Sequence, residues 1–304
     1  MFQMKLDFFT DDKSFPFYIS YGAHQEDFFV HSHEDFNELV VVLNGKATHL
    51  VNDEEFQVSK GDVFIIGADT SHGYAHVQDF QICNLMFQHN YFFQNDFDIK
   101  KTSGFQALFV IEPLISRNRS FHNMLKLDFL EFEKIKRTIA DMIGEYTKKE
   151  PGYKTLLTGS FYQLATTLSR LYSKTLPHNE NHVIGMAESI AYLENHYMED
   201  LTVDVLAKIA GFSPRHFSRR FYEITKTTPL HYILMMRMQK AEYYLSKTDL
   251  PISTIAAKCG FSDSNYFSRL YKKYYQINPS NFRRISTGEP IRITPLSSPG
   301  NKKD

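Results

Sequence analysis

The sequence predicts an α+β chain of two dissimilar halves. A β-rich N-terminal barrel or jelly roll carries a helical hairpin, and an all-helical C-terminal domain contains two helix-turn-helix units. Three observations lead there. From Leu201 onward one pattern is written twice, with Leu201/Leu250, Ala207/Ala256, Gly211/Gly260 and Phe212/Phe261 each 49 positions apart. Between Phe28 and Phe87, short apolar or alternating runs are separated by turn residues. Between residues 125 and 176 the apolar period becomes helical. A length of 304 residues accommodates both halves.

In the first half, FNELVVVL, KATHLV, EFQV and VFII are punctuated by Asn44-Gly45, Asn52-Asp53, Lys60-Gly61-Asp62 and Gly67-Ala68-Asp69. Asn-Gly between two such runs predicts a hairpin, and many short strands at regular spacing predict a small barrel or jelly roll. His31 and His33, two apart on a strand, share one face. The order His31-x-His33, Glu38, Gly45 resembles the first cupin motif, and Gly61 followed by His72 resembles the second. The chain departs from the second motif at Gly67 and Asp69, where cupins usually carry Pro and Gly, and at His76, where they end on Asn. His31, His33, Glu38 and His72 are therefore the candidate ligand-binding residues. Three imidazoles and a carboxylate suit Fe, Mn, Ni or Zn; the same groups equally hydrogen-bond a small polar ligand, or one another, with no metal. His49 and His89 read as surface or core residues without a special role.

Phe132, Ile135, Ile139, Met142 and Tyr146 form one helical stripe, and Leu157, Phe161, Leu164, Leu168 and Leu171 form a second after Pro151-Gly152. These helices either cover the barrel or, for the second, pack against a twin in a homodimer. The polar stretch SKTLPHNENH reads as a linker. The expected organisation is thus a sensing and dimerisation domain over 1–172, a linker over 173–182, a DNA-binding domain over 183–286 and a flexible tail over 287–304.

Each copy of the repeat has helix-turn-helix chemistry. Val203, Leu206, Ala207 and Ala210 give a first helix one apolar face, and Gly211 supplies the left-handed turn. Ser213 caps the next helix with Pro214 at its first position. Phe217 and Phe221 face inward, while Arg215, Ser218 and Arg219 face out. The second copy repeats this with Ile252, Ile255, Ala256 and Cys259, the turn at Gly260, and a helix burying Phe267, Leu270 and Tyr271. Its open face carries Ser264, Asn265, Ser268 and Arg269. Between the copies, Thr228-Pro229 starts a helix of roughly 25 Å at 1.5 Å per residue, against about 34 Å for one DNA turn.

Residues 184–285 resemble the DNA-binding domain of the AraC/XylS family of bacterial transcription regulators. The run Cys259-Gly260-Phe261-Ser262-Asp263-Ser264-Asn265-Tyr266-Phe267-Ser268-Arg269, with Asn278-Pro279, is the closest part. The resemblance implies that Arg215, Ser218 and Arg219, and in the second unit Asp263, Ser264, Asn265, Ser268 and Arg269, read bases. Arg suits guanine and Asn adenine in the major groove. Asp263 either accepts from a cytosine or simply caps its helix. Arg219 and Arg269 alternatively hold phosphates, as Lys272 and Lys273 are expected to do. The His31–Phe36 run and FSDSN are similar to the rhamnose-operon regulators of that family, which implies a sugar effector, with rhamnose the named case, and contact with RNA polymerase.

Charge is divided accordingly. Residues 183–286 hold 14 Lys and Arg against 9 Asp and Glu, whereas residues 1–182 are net −7; a basic half suits a phosphate surface. No run of 18 apolar residues implies a membrane span, and the N-terminus lacks the order of a secretion signal. Cys83 and Cys259 read as reduced core residues of a cytoplasmic protein, outside any metal-type spacing. The expectation is a cytoplasmic DNA-binding regulator, an activator that senses a small ligand and has no catalytic residues or cofactor. Its partners are double-stranded DNA, the effector, RNA polymerase and a second copy of itself. The alternatives are a metal-dependent cupin enzyme with a DNA-binding tail, and a ligand-free regulator whose barrel only dimerises.

Overall fold

The computed structural model describes residues 2–52, 54–93, 97–115, 124–175 and 182–286. Two compact units emerge: residues 1–195 together with 203–226, and residues 196–202 together with 227 onward.

Among the described residues of the first unit, one sheet contains β1 (Phe2–Met4), β2 (Phe17–His24), β3 (Phe28–His33), β4 (Asn37–Val51), β5 (Glu54–Ser59), β6 (Asp62–Ile66), β7 (His72–Phe87) and β8 (Leu125–Lys126). Its frame is the antiparallel pair of long strands, β4 and β7, which run together over most of their length. β2 pairs with the later part of β7, and β6 with the early part of β4. β3 pairs with the early part of β7, and β5 with the later part of β4. Two half-sheets thus share two bent strands, in jelly-roll fashion. The hydrogen-bonded order β1-β3-β7-β4-β6-β8 is an open path rather than a closed ring.

The bend corrects one expectation. Asn44-Gly45 does not close a hairpin; β4 continues through it. The β4–β7 register shifts three times between Val42 and Thr48, and Gly45 has φ +72°. A Cβ there would lie 2.2 Å from the carbonyl oxygens of Gln78 and Asp79. Glycine is required because the partner strand approaches so closely, and the shifts are bulges that bend a strand from one half-sheet into the other. They also change the inward parity. Glu38, Val40 and Val42 face the interior before the bend, and Ala47, His49 and Val51 after it. The apolar members of both sets join Phe64, Tyr74, Phe80 and Ile82 in one core.

Short helices α1 (His89–Phe92), α2 (Ser103–Phe105) and α3 (Glu112–Ile115) precede the hairpin of α4 (Phe129–Lys148) and α5 (Tyr153–Thr175). Asp128 and Glu131 form a reciprocal capping box at the start of α4. Phe161 of α5 meets Phe17 and Phe87 of the sheet at 5.6 and 4.9 Å between ring centroids. Leu157, Phe161, Leu164 and Leu168 are all buried within their own chain. Four residues of the α5 stripe are thus taken up within their own chain, Phe161 against the sheet, while Leu171, the fifth, is half-buried. α5 also runs through Thr175, three residues into the expected linker; residues 176–181 and the expected tail, 287–304, lie outside the described residues.

The first unit continues with α6 (His182–His196), α7 (Val203–Ile209) and α8 (Pro214–Thr225). α6 touches the sensor half directly: Asn195 Nδ2 donates to the Lys101 carbonyl at 3.0 Å, and Lys100 Nζ lies 3.9 Å from the buried Glu194 carboxylate. The second unit holds α9 (Pro229–Lys247), α10 (Ile252–Lys258), α11 (Ser264–Tyr275) and α12 (Pro279–Ser286) around Met238, Ala241, Leu245, Ile255, Phe267 and Tyr271. Among the described residues, no helix is long and apolar enough to cross a membrane.

Candidate nucleic-acid interface and ligand site

The two repeat copies fold into matching helix pairs, α7–α8 and α10–α11, each second helix being 12 residues long. Both turns use a glycine in the left-handed region, Gly211 at φ +69° and Gly260 at φ +81°, where other residues are strained. Ser213 caps α8 by accepting from the His216 N–H at 3.4 Å, with Pro214 in the first turn. Asp263 caps α11 more firmly, its Oδ1 accepting from Asn265 N at 2.7 Å and Tyr266 N at 3.1 Å. Those two N–H groups, Tyr266 first, hold the Asp263 carboxyl below its ordinary value. Asp263 is thus the N-cap of α11.

Inward, Phe217 and Phe221 of α8 and Phe267 and Tyr271 of α11 are fully buried, which fixes the opposite faces outward. Arg215 and Arg219 on α8, and Asn265, Arg269, Lys272 and Lys273 on α11, are exposed. Ser218, Ser264 and Ser268 are half-buried beside them. The Ser218 hydroxyl donates to the Pro214 carbonyl and that of Ser268 to the Ser264 carbonyl, at 2.9 and 2.8 Å. Each keeps its lone pairs for a ligand. Arg219 lies 3.8 Å and Arg220 2.9 Å from Glu223, exposed contacts of little energy. The structure thus brings each unit's expected base-reading residues to one open helix face.

In the sheet, β3, β4 and β7 bring the four expected ligand residues together. His33 Nε2 and His72 Nε2 are 3.1 Å apart, and Glu38 Oε2 is 3.6 Å from each. His31 completes a group whose imidazole nitrogens lie within 4.8 Å of one another. All four residues are 0–4% exposed. Burial pushes Glu38 up to about 8 and His33 down to about 3, and lowers His72 as well. Burial thus disfavours charge on the carboxyl and on the imidazoles alike, and 3.6 Å is too long for a hydrogen bond.

Neutral imidazoles with converging Nε2 atoms are the form that ligates a transition metal. His31 Nδ1 sits 3.1 Å from the Phe29 carbonyl, the kind of outer contact that orients a metal-bound imidazole. His33 Nδ1 and His72 Nδ1 have no hydrogen-bond partner, so that support is present for one ring of three.

Sequence reasoning did not reach the surroundings of two residues here. His49, expected as a surface or core residue without a special role, lies in the core between Phe64 and Tyr74, centroids 4.7 and 5.0 Å away, and edges onto His72 at 5.7 Å. The signal was hidden because the bulge at Gly45 changes which parity faces in. Arg237 of α9 donates from Nε to Tyr197 O at 2.6 Å, from Nη1 to Gly260 O at 2.8 Å and from Nη2 to Glu199 O at 2.7 Å. Its signal was a cation on the otherwise apolar Ile233–Ala241 stripe.

Two families match the chain: an AraC-like ligand binding domain over residues 16–165 and a helix-turn-helix domain over residues 206–285. The HTH-type transcriptional activator RhaS of Enterobacter sp. (strain 638) is 26% identical over 258 residues, covering 84% of this chain and 88% of that protein. RhaS of Mannheimia succiniciproducens is 28% identical over 281 residues, covering 91% and 97%. The HTH-type transcriptional activator RhaR of Salmonella dublin is 27% identical over 285 residues, covering 93% and 96%.

Proposed function

This chain belongs to the AraC/XylS family and is a DNA-binding transcription regulator rather than an enzyme, and from that premise we propose that it is a sugar-responsive activator reading DNA with α8 and α11. The observation that carries the proposal is the pairing of two buried aromatic seams with two open faces bearing the same Ser and Arg positions, Ser218/Arg219 and Ser268/Arg269. Arg215 reads guanine through its paired donors, and Asn265 reads adenine. Ser218, Ser264 and Ser268 contact bases or sugar edges, Arg219 and Arg269 bases or phosphates, and Lys272 and Lys273 phosphates. Asp263 orders the helix that presents them.

The sensor half binds the effector at His31, His33, Glu38 and His72, where a carboxyl and imidazoles offer both donors and acceptors to hydroxyl groups. Effector binding shifts the balance of domain arrangements by its differential affinity for them. The regulator works in the cytoplasm as a homodimer that contacts RNA polymerase, with its sensing domain ahead of residue 173 and its DNA-binding domain from residue 183. Selection of bound sites from random DNA, with and without a sugar panel, tests this reading. A bipartite site enriched more strongly with one sugar supports it; recovery of random sequence in every arm rejects it.

One observation favours a second reading of the sensor site. The converging nitrogens of His31, His33 and His72, with Glu38 as a fourth donor, suit a divalent cation. Metal analysis of the purified chain, with His33→Ala as control, separates the two: stoichiometric metal lost in the variant supports the cation, and a metal-free chain stabilised by a sugar supports the polar-ligand site.

A further inference from the structure

The two helix-turn-helix units are held to their supporting helices by different means, and the difference singles out one residue. In the first unit the support is close packing. Gly185 of α6 lies so near α7 that a Cβ would fall 2.4 Å from the Ala210 carbonyl oxygen, and the Ser189 hydroxyl donates to the Leu206 carbonyl at 3.0 Å. In the second unit the support is a guanidinium. The position 49 residues before Arg237 is Glu188, which is exposed, so the first unit has no cation in that place.

Arg237 joins three separate chain segments. Its Nε and Nη2 take the carbonyls of Tyr197 and Glu199, in the segment that follows α6, and its Nη1 takes the carbonyl of Gly260. Its plane lies over the Phe261 ring, 5.6 Å from the centroid. Gly260 is the turn residue itself, at φ +81°. A Cβ there would lie 2.5 Å from the Met198 carbonyl oxygen and 3.0 Å from Arg237 Cζ. The guanidinium fork fixes direction at several acceptors at once, which an ammonium cannot do. The angle between α10 and α11 is set at this turn, and Asn265 follows it by five residues.

We propose that Arg237 is the positioning residue of the second DNA-reading helix: it aims α11 by clamping the Gly260 turn to the Tyr197–Glu199 segment, without itself touching DNA. This rests on the reading of α11 as a base-contacting helix. The consequence is selective. Loss of the clamp disturbs what α11 reads and leaves what α8 reads unchanged, because α8 is supported by Gly185 and Ser189.

The test uses the full chain and the bipartite site recovered by the unaltered protein from random DNA, scored one base pair at a time. Arg237→Met keeps the stem and removes the fork; Arg237→Lys keeps the charge and removes the fork. Both are expected to lower discrimination about tenfold at the base pairs read by the second unit, the scale of one mismatched pair. Both should leave discrimination at the first unit's pairs within about twofold. Gly260→Ala, which displaces the same clamp from the other side, should reproduce the pattern. Persistent footprint protection over the first half-site shows that each variant is folded. Full recovery by Lys would overturn the proposal, since a phosphate-contacting charge then explains the residue. Equal loss at both half-sites, or unchanged preference at the second half-site in Arg237→Met, would also overturn it. If the unaltered chain selects no site at all, the DNA-binding reading has failed instead.

Discussion

Helices α8 and α11 are the same device carrying different chemistry. Offset by 50 positions, Ser218 matches Ser268, Arg219 matches Arg269 and Phe217 matches Phe267. Both serines bond the carbonyl four residues back. Differences at the outward face and helix start include Arg215 against Asn265, Ser213 against Asp263 and Glu223 against Lys273, and the inward side differs at Phe221 against Tyr271 and Ile224 against Tyr274. The buried side keeps an aromatic ring at two positions in both copies, Phe217/Phe267 and Phe221/Tyr271. The open side has been left to diverge, as expected if each unit meets a different half of one DNA site.

The turns give the largest contrast. Gly260→Ala meets the Met198 carbonyl as well as an unfavourable φ, and should cost roughly 2–4 kcal/mol. Gly211→Ala meets nothing within 4 Å and should cost about 1–2 kcal/mol from φ alone. Hydrogen exchange resolved over α8 and α11 separates them, and equal losses would break the comparison.

Next come the reading positions. Asn265→Ala should lose about 1–3 kcal/mol on the cognate site and relax one base pair, as should Arg215→Ala at a pair in the other half-site. Base-by-base binding assays check both. A uniform loss on cognate and random DNA would remove that residue from the reading face.

The caps differ less in energy than in their response to acid. Ser213→Ala should destabilise α8 by about 1 kcal/mol at any pH. Asp263 has a folded value depressed below the ordinary 3.8 by two backbone N–H groups. Its contribution is therefore complete above that ordinary value and is lost as pH falls through the folded one. Acid titration should loosen α11 before α8, as followed by exchange at their first turns, and Asp263→Asn should abolish the difference.

The smallest effect is electrostatic. Lys273→Ala should weaken binding to all sequences alike and reduce the salt slope by about 1. Its counterpart, Glu223→Gln, frees Arg219 and Arg220 and should tighten binding slightly in low salt. Titrations across a salt series read both.

Much of this was legible because the repeat supplies its own control. Glycine, cap and aromatic seam recur at fixed offsets, and local chemistry decides each of them. The meeting of His31, His33, Glu38 and His72 was legible from strand alternation and from resemblance. What escaped depends on contacts between distant segments. Asn44-Gly45 has a hairpin's residues, yet here it accommodates the close carbonyls of Gln78 and Asp79, and no local rule anticipates a neighbour 33 residues away. The same bend concealed His49. The stripe on α5 satisfies heptad spacing and sheet covering equally; only the rings of Phe17 and Phe87 show that Phe161 faces the sheet. Arg237 was visible as a cation on an apolar face, but its three carbonyl partners were not.

The contacts of α6 with Lys100 and Lys101 bear on how such regulators can be recombined. A chimera joined between residues 176 and 181 would part the buried Glu194 carboxylate from Lys100 Nζ, 3.9 Å away, and leave Asn195 Nδ2 the Ala191 carbonyl but not that of Lys101. A fusion built at that seam would inherit an acidic group that has lost one of its charged neighbours. Carrying residues 98–101 across with the DNA-binding half, or replacing Glu194 with Gln, would be the condition for a faithful graft.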